Sequence, residues 1–213
     1  MYPETKQALA ISLLQIDAIR FGQFRLKLHE KHPEAPLSPI YIDLRRLRSF
    51  PRTMDDTVRM YIELAAGLKF DCYADVPTAA TPIVAVLSHE TRIPMITPRT
   101  GQKSRGIGSS IDGAFKKNQV ALLVDDLVTY ADSKLEAIAV LEANGLTVRD
   151  VVVLLNRNQG GSEELNKHGY SCHAAFGLRE LIDFYYTSKM ITEENYSRTN
   201  EYLDTSGFTR QPV

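Results

Sequence analysis

Cysteine is scarce in this chain: Cys72 and Cys172 are the only two in 213 residues. Two thiols do not make a disulfide framework, so a reducing cytoplasm is the expected setting. An excess of charge of either sign is missing too, with 25 Lys and Arg against 26 Asp and Glu and a net charge of -1. A field strong enough to hold nucleic acid or a membrane surface is not expected from that balance. No apolar run approaches the ~20 residues a membrane span needs, and the opening Met-Tyr-Pro-Glu-Thr-Lys lacks a signal-peptide pattern. Repeats and low-complexity segments are absent as well. What is present, 44% hydrophobic and 24% charged residues, is an ordinary globular composition, long enough to bury a sizeable core.

The most informative stretch runs from Gln119 to Gly145. Val120 to Val124 is a continuous apolar run, which suits a strand buried on both faces of a parallel sheet. Asp125 and Asp126 follow where that strand should end. After a short turn, Leu135, Ile138, Ala139 and Leu141 recur at helical spacing from about Asp132, with Gly145 as the expected C-cap. Ligands of open α/β sheets bind at the carboxyl ends of strands, and a helix N-terminus there suits a phosphate.

Other segments follow the same alternation. Helices are expected over 4–21, 54–69 and 77–92, with strands over 21–27, 40–44, 70–76 and 93–98. Beyond the central unit come a strand over 147–155, a helix over 162–168, a strand over 170–176, and helices over 178–189 and 192–203. Helices alternating with strands argue a parallel sheet with crossover connections. The segment 99–114, rich in Gly and Ser, is expected to be a mobile loop.

Val124-Asp125-Asp126-Leu127-Val128-Thr129 resembles the phosphoribosyl-pyrophosphate (PRPP) motif of type I phosphoribosyltransferases. Phe24-Arg25-Leu26-Lys27 followed by Ser38-Pro39-Ile40-Tyr41-Ile42-Asp43-Leu44-Arg45 resembles the start of orotate phosphoribosyltransferases, and Asn156-Arg157-Asn158-Gln159-Gly160-Gly161 resembles their Asp-Arg-x-Gln/Glu-Gly-Gly segment. The resemblance covers about Leu9 to Leu203, with the motifs in family order. It implies an α/β fold: a central parallel sheet flanked by helices, in one domain over 1–213. Within it lie an N-terminal helix and hood (1–50), a core (54–176) and C-terminal helices (177–205).

The resemblance also implies roles. Asp125 and Asp126 would hold the ribose, Thr129 and Ser133 the 5′-phosphate, and Arg157 the orotate carboxylate, for which a planar guanidinium is well shaped. Lys27 would lie near both substrates. Lys103 would assist departure of pyrophosphate, with Arg99 and Arg105 beside it, from a loop (99–114) reaching into the neighbouring subunit of a homodimer. No protein metal site is implied. Mg²⁺ would arrive with PRPP, with Asp126 the candidate ligand. The implied activity is orotate plus PRPP to orotidine 5′-monophosphate and pyrophosphate.

Three departures bear on that activity. Asp75 stands where the pyrophosphate loop normally opens with Gly, and Thr100 replaces a Lys. The phosphate turn reads Thr129-Tyr130-Ala131-Asp132-Ser133, with Asp132 in place of a hydroxyl. Asp132 would either face the phosphate or serve as the helix N-cap. A catalytically degenerate binding or regulatory dimer is the alternative these changes raise, and a transferase for another base is a third.

Overall fold

The structure, a computed structural model, describes residues 4–26, 28–31, 33–99 and 110–206. Its main sheet is built around β6 (Val120–Val128), flanked by β3 (Cys72–Asp75) and β7 (Thr147–Asn156). Outward from these lie β4 (Met95–Pro98) and β5 (Ile111–Asp112) on one side and β8 (Ser171–Gly177) on the other, in the order β5-β4-β3-β6-β7-β8. All neighbours are parallel except β4 and β5. The chain runs outward from β3 to β4, returns to lay β6 beside β3, then runs outward the other way. The switch point of the topology, where such sheets open a ligand crevice, therefore lies between β3 and β6.

Burial explains the strands. Along β6, Leu122 and Val124 join the core on one face, while Ala121 and Leu123 join the core on the other. That is the two-residue period of a strand covered on both sides. The first core holds α1 (Glu4–Gln15), α3 (Pro51–Ala65), α4 (Thr81–Thr91) and α7 (Leu178–Thr187). The second holds α5 (Asp132–Ala143) and α6 (Gly161–Lys167). A separate antiparallel pair, β1 (Ile19–Phe24) and β2 (Ser38–Ile42), forms the hood. It is closed by the Arg20 guanidinium over the rings of Phe24 and Tyr41. The short helix α2 (Leu28–Lys31) lies between its strands, and α8 (Glu193–Ser206) packs on β2.

Several boundaries differ from the sequence reading. The first helix stops at Gln15 because Asp17 turns left-handed (φ 55°) and the strand begins at Ile19. α4 starts at Thr81, with Pro82 in its first turn, so residues 77–80 are loop. β6 does not end before the acids: it continues to Val128, with Asp125 opposite Val153 and Leu127 opposite Leu155. Backbone pairing with β7 carries the strand past the point where its apolar run ends. Among the described residues no helix is long and apolar enough to cross a membrane.

Candidate active site

A cleft of about 500 Å³ opens at the switch point, lined by Val76, Pro77 and Ala79 after β3, the acids of β6, and the turn into α5. Because both acids lie in a strand, their side chains leave opposite faces of the sheet. Asp125, in phase with Ala121 and Leu123, turns toward α5. There its Oδ2 meets the ammonium of Lys134 at 2.5 Å, with both side chains about 5% exposed. Its Oδ1 accepts the N–H of Asp126 at 2.8 Å. Asp126 lies on the α3 side, partly open to the cleft, and its Oδ1 accepts the N–H of Leu127 at 2.7 Å. From α3, the fully buried Tyr61 hydroxyl donates to the Asp125 carbonyl at 2.6 Å.

The electrostatics follow from this packing. Burial, and then the charge of Asp125, push the Asp126 carboxyl up to about 7; Lys134 and the Leu127 N–H oppose the shift. Burial drives the Tyr61 phenol well above its ordinary range, helped by the charges of Asp126 and Asp125.

The turn after β6 has an unusual backbone. Ala131 is left-handed at φ 72°, and its carbonyl accepts the N–H groups of Lys134 and Leu135. Such a conformation costs a non-glycine residue roughly 1 kcal/mol or more. Ala131, not Asp132, is the N-cap; Asp132 is the first helical residue, exposed at the cleft. Thr129 and Ser133 line the same cleft.

Asp75 corrects an expectation. Its carboxylate is fully buried and accepts hydroxyl bonds from Thr81 and Thr97. It is turned in among β3, β4 and α4 and does not line the cleft.

Beyond β7, Arg157 is 7% exposed, and its backbone N–H donates to Val128 at 3.0 Å. Its Nε and Nη2 have no hydrogen-bond partner among the described residues. Burial lowers its pKa, against the opposing influence of Tyr202 and Tyr130. Asn156 shapes the loop around it, accepting the Asn158 N–H at 2.9 Å and donating to Ser162 at 2.8 Å. Gly161 is demanded by contact: a Cβ there would fall 2.6 Å from the Thr129 carbonyl oxygen and a Val128 methyl. Gly161 thus lets the Arg157 loop lean on the turn after β6.

Arg99 follows β4 and forms a bidentate pair with Asp112 of β5, at the stem of the loop, and does not line the cleft. Lys27, Lys103, Arg105 and Thr100 lie outside the described residues. Lys134 was missed by the sequence reading, which took Leu135 and Ala139 as part of the buried face. The face is Lys134, Ala137, Ile138 and Leu141. Their i, i+3, i+4, i+7 spacing was the available signal. For a metal, the described residues offer no cluster of three His, Cys, Asp or Glu. With Asp125 buried against Lys134, the partly exposed Asp126 is the better placed acid of the pair for a hard cation.

The chain matches no protein-family model. It is 33% identical over 192 residues to orotate phosphoribosyltransferase of Pyrobaculum aerophilum, covering 90% of this chain and 95% of that protein. It is 30% identical over 203 residues to uridine 5′-monophosphate synthase of Bos taurus, covering 94% of this chain and 41% of that one. The solved UMP synthase of Leishmania donovani superposes with a TM-score of 0.82 at 37% identity, over 93% of this chain and 42% of that one. The chain thus spans about two fifths of the synthases and nearly all of the archaeal transferase. With that similarity, and with the acid pair of β6 at the switch point of the sheet, the chain belongs to the orotate phosphoribosyltransferase family of type I phosphoribosyltransferases.

Proposed function

We propose that the protein transfers the phosphoribosyl group of PRPP to orotate, giving orotidine 5′-monophosphate and pyrophosphate. The observation that carries this reading is Arg157: a buried guanidinium that does not itself line the cleft but feels the charge of Tyr130 in its wall, with two donors unmet among the described residues. A buried cation of this kind is stable when an anion takes those donors, and the flat carboxylate of orotate fits a guanidinium fork. The turn adds support. Ala131 holds a left-handed conformation at an energetic cost, and among the left-handed non-glycine residues it is the one that lines the cleft.

In this reading N1 of orotate forms a bond to the anomeric carbon as the bond to pyrophosphate breaks. The bonding pair leaves with the pyrophosphate oxygen, and the orotate N1 proton is lost. Positive charge builds on the ribose, and the Asp126 carboxylate at its hydroxyls favours that state. Thr129, Ser133 and the start of α5 hold the 5′-phosphate. Mg²⁺, carried in on PRPP, would neutralise pyrophosphate oxygens, with Asp126 the better placed acid of the pair to reach it. Lys27, Arg99, Lys103 and Arg105 keep the roles that family resemblance gives them. So do the single domain, the homodimer with exchanged 99–114 loops, and the cytoplasmic setting, in which Cys72 and Cys172 stay free thiols.

Calorimetric titration with PRPP in Mg²⁺, followed by orotate, tests the reading. PRPP binding with orotate consumed and pyrophosphate released is expected, and Arg157→Met should abolish orotate binding while PRPP still binds. No PRPP heat at millimolar ligand would refute the reading and favour a binding module that keeps the fold.

A further inference from the structure

Lys134 is in an unfavourable place for a lysine. It sits in the first turn of α5, where the helix dipole disfavours a cation, and it is 4% exposed, where desolvation disfavours any charge. Its ammonium is nonetheless fully used. It meets Asp125 Oδ2 at 2.5 Å, donates to the Leu127 carbonyl at 2.5 Å, and lies 3.5 Å from the Ser133 hydroxyl. Stability alone is a poor reason to keep such a group, since well-packed apolar residues often replace a buried ion pair with no loss. A methionine has about the same length and would fit among Ala137, Ile138 and Leu141.

The three contacts span the whole turn. Asp125 and Leu127 are in the strand, and Ser133 is on the helix. One side chain therefore ties both ends of the 127–133 segment together. It also occupies Asp125, whose other oxygen holds the Asp126 N–H. Asp126 has one oxygen bonded to the backbone and its carboxyl in contact with that of Asp125, and it is the more exposed of the two acids at the cleft.

We propose that Lys134 is a positioning residue for phosphoribosyl transfer, clamping the phosphate turn and holding Asp125 as a strut, so that Asp126 is the acid that receives the ribose hydroxyls. This rests on the reaction proposed above. The acids divide the work: Asp125 fixes geometry through Lys134, and Asp126 touches the ligand.

Steady-state kinetics with PRPP and orotate decide it. Lys134→Met should raise the KM for PRPP tenfold or more and leave the KM for orotate within twofold, a split that general loosening would not give. The double variant Asp125→Asn/Lys134→Met should be no worse than Lys134→Met, because the strut is already lost. Asp126→Asn should weaken PRPP more than Asp125→Asn does, and that comparison decides the matter if Lys134→Met does not fold. A PRPP KM within twofold of wild type in Lys134→Met, or equal losses from Asp125→Asn and Asp126→Asn, would overturn the proposal. Absence of turnover by the wild type would overturn the reaction and this role together; turnover with an indifferent Lys134→Met would overturn the role alone.

Discussion

Replacing Asp126 by Asn should make the ligand-free protein more stable at neutral pH while weakening PRPP binding. The carboxyl is raised from 3.8 to about 7, first by burial and then by the charge of Asp125. The folded state therefore keeps a proton that the unfolded chain loses near pH 4. Stability linked to this group is complete below pH 4, falls as pH rises from about 4 to 7, and is flat above that. About 3 units at 1.36 kcal/mol each would give roughly 4 kcal/mol. Asp126 is partly exposed, so solvent screening reduces this to about 2 kcal/mol. For a chain of this size that is about 4–8 °C in Tm. Asparagine cannot ionise, so Asp126→Asn should melt higher than wild type at pH 8 by that margin. The gap should close toward pH 4.5, as the wild-type carboxyl regains its proton. Scanning calorimetry of both proteins without Mg²⁺ or PRPP, at half-unit steps from pH 4.5 to 8.5, measures it. Carboxylates away from Asp126 titrate alike in both and cancel, leaving Asp126 and the Asp125 beside it as the source of the difference. Equal melting temperatures at pH 8, or a gap that stays constant with pH, would refute the reasoning.

Other outcomes are expected. Asp132→Ser should tighten PRPP roughly fivefold, about 1 kcal/mol for removing an exposed carboxylate beside a phosphate; unchanged affinity by calorimetry would show that the acid points elsewhere. Tyr61→Phe leaves the Asp125 carbonyl without its 2.6 Å donor and should lower stability by about 1–3 kcal/mol in urea melts. Gly161→Ala puts a methyl 2.6 Å from the Thr129 carbonyl. It should lower stability by about 1–3 kcal/mol, and the KM for PRPP should rise as Thr129 moves. Binding of Mg²⁺ and PRPP at pH 6.5 should release up to one proton, read from titration heats in two buffers, because hydroxyl donors and a cation favour the Asp126 carboxylate.

Much of the architecture was legible because it rests on period. The runs at Val120–Val124 and Val151–Leu155 suit strands covered on both faces, and the helices between strands argue parallel crossovers, as the sheet bears out. Ends were less legible. Nothing in the sequence of Asp125 to Val128 announces that β7 continues to pair with it, and only that pairing sends the two acids to opposite faces. Partners were least legible. Asp75 reads as an acid at a strand end until Thr81 and Thr97 close over it from 6 and 22 residues away. Lys134 reads as a solvent lysine until its phase along α5 is followed inward. The left-handed Ala131 has no signature in residue type at all, since alanine ordinarily avoids that region.

The contact at Gly161 has a consequence for how this protein could change its choice of base. The missing methyl lets the start of α6 rest against the backbone of Thr129, so the segment that carries Arg157 and the turn proposed to hold the sugar phosphate are two sides of one thin partition. Moving either displaces the other. A variant selected for a new base through residues 157–161 would therefore arrive with altered affinity for the ribose donor, and its recovery should come from second changes in residues 129–133.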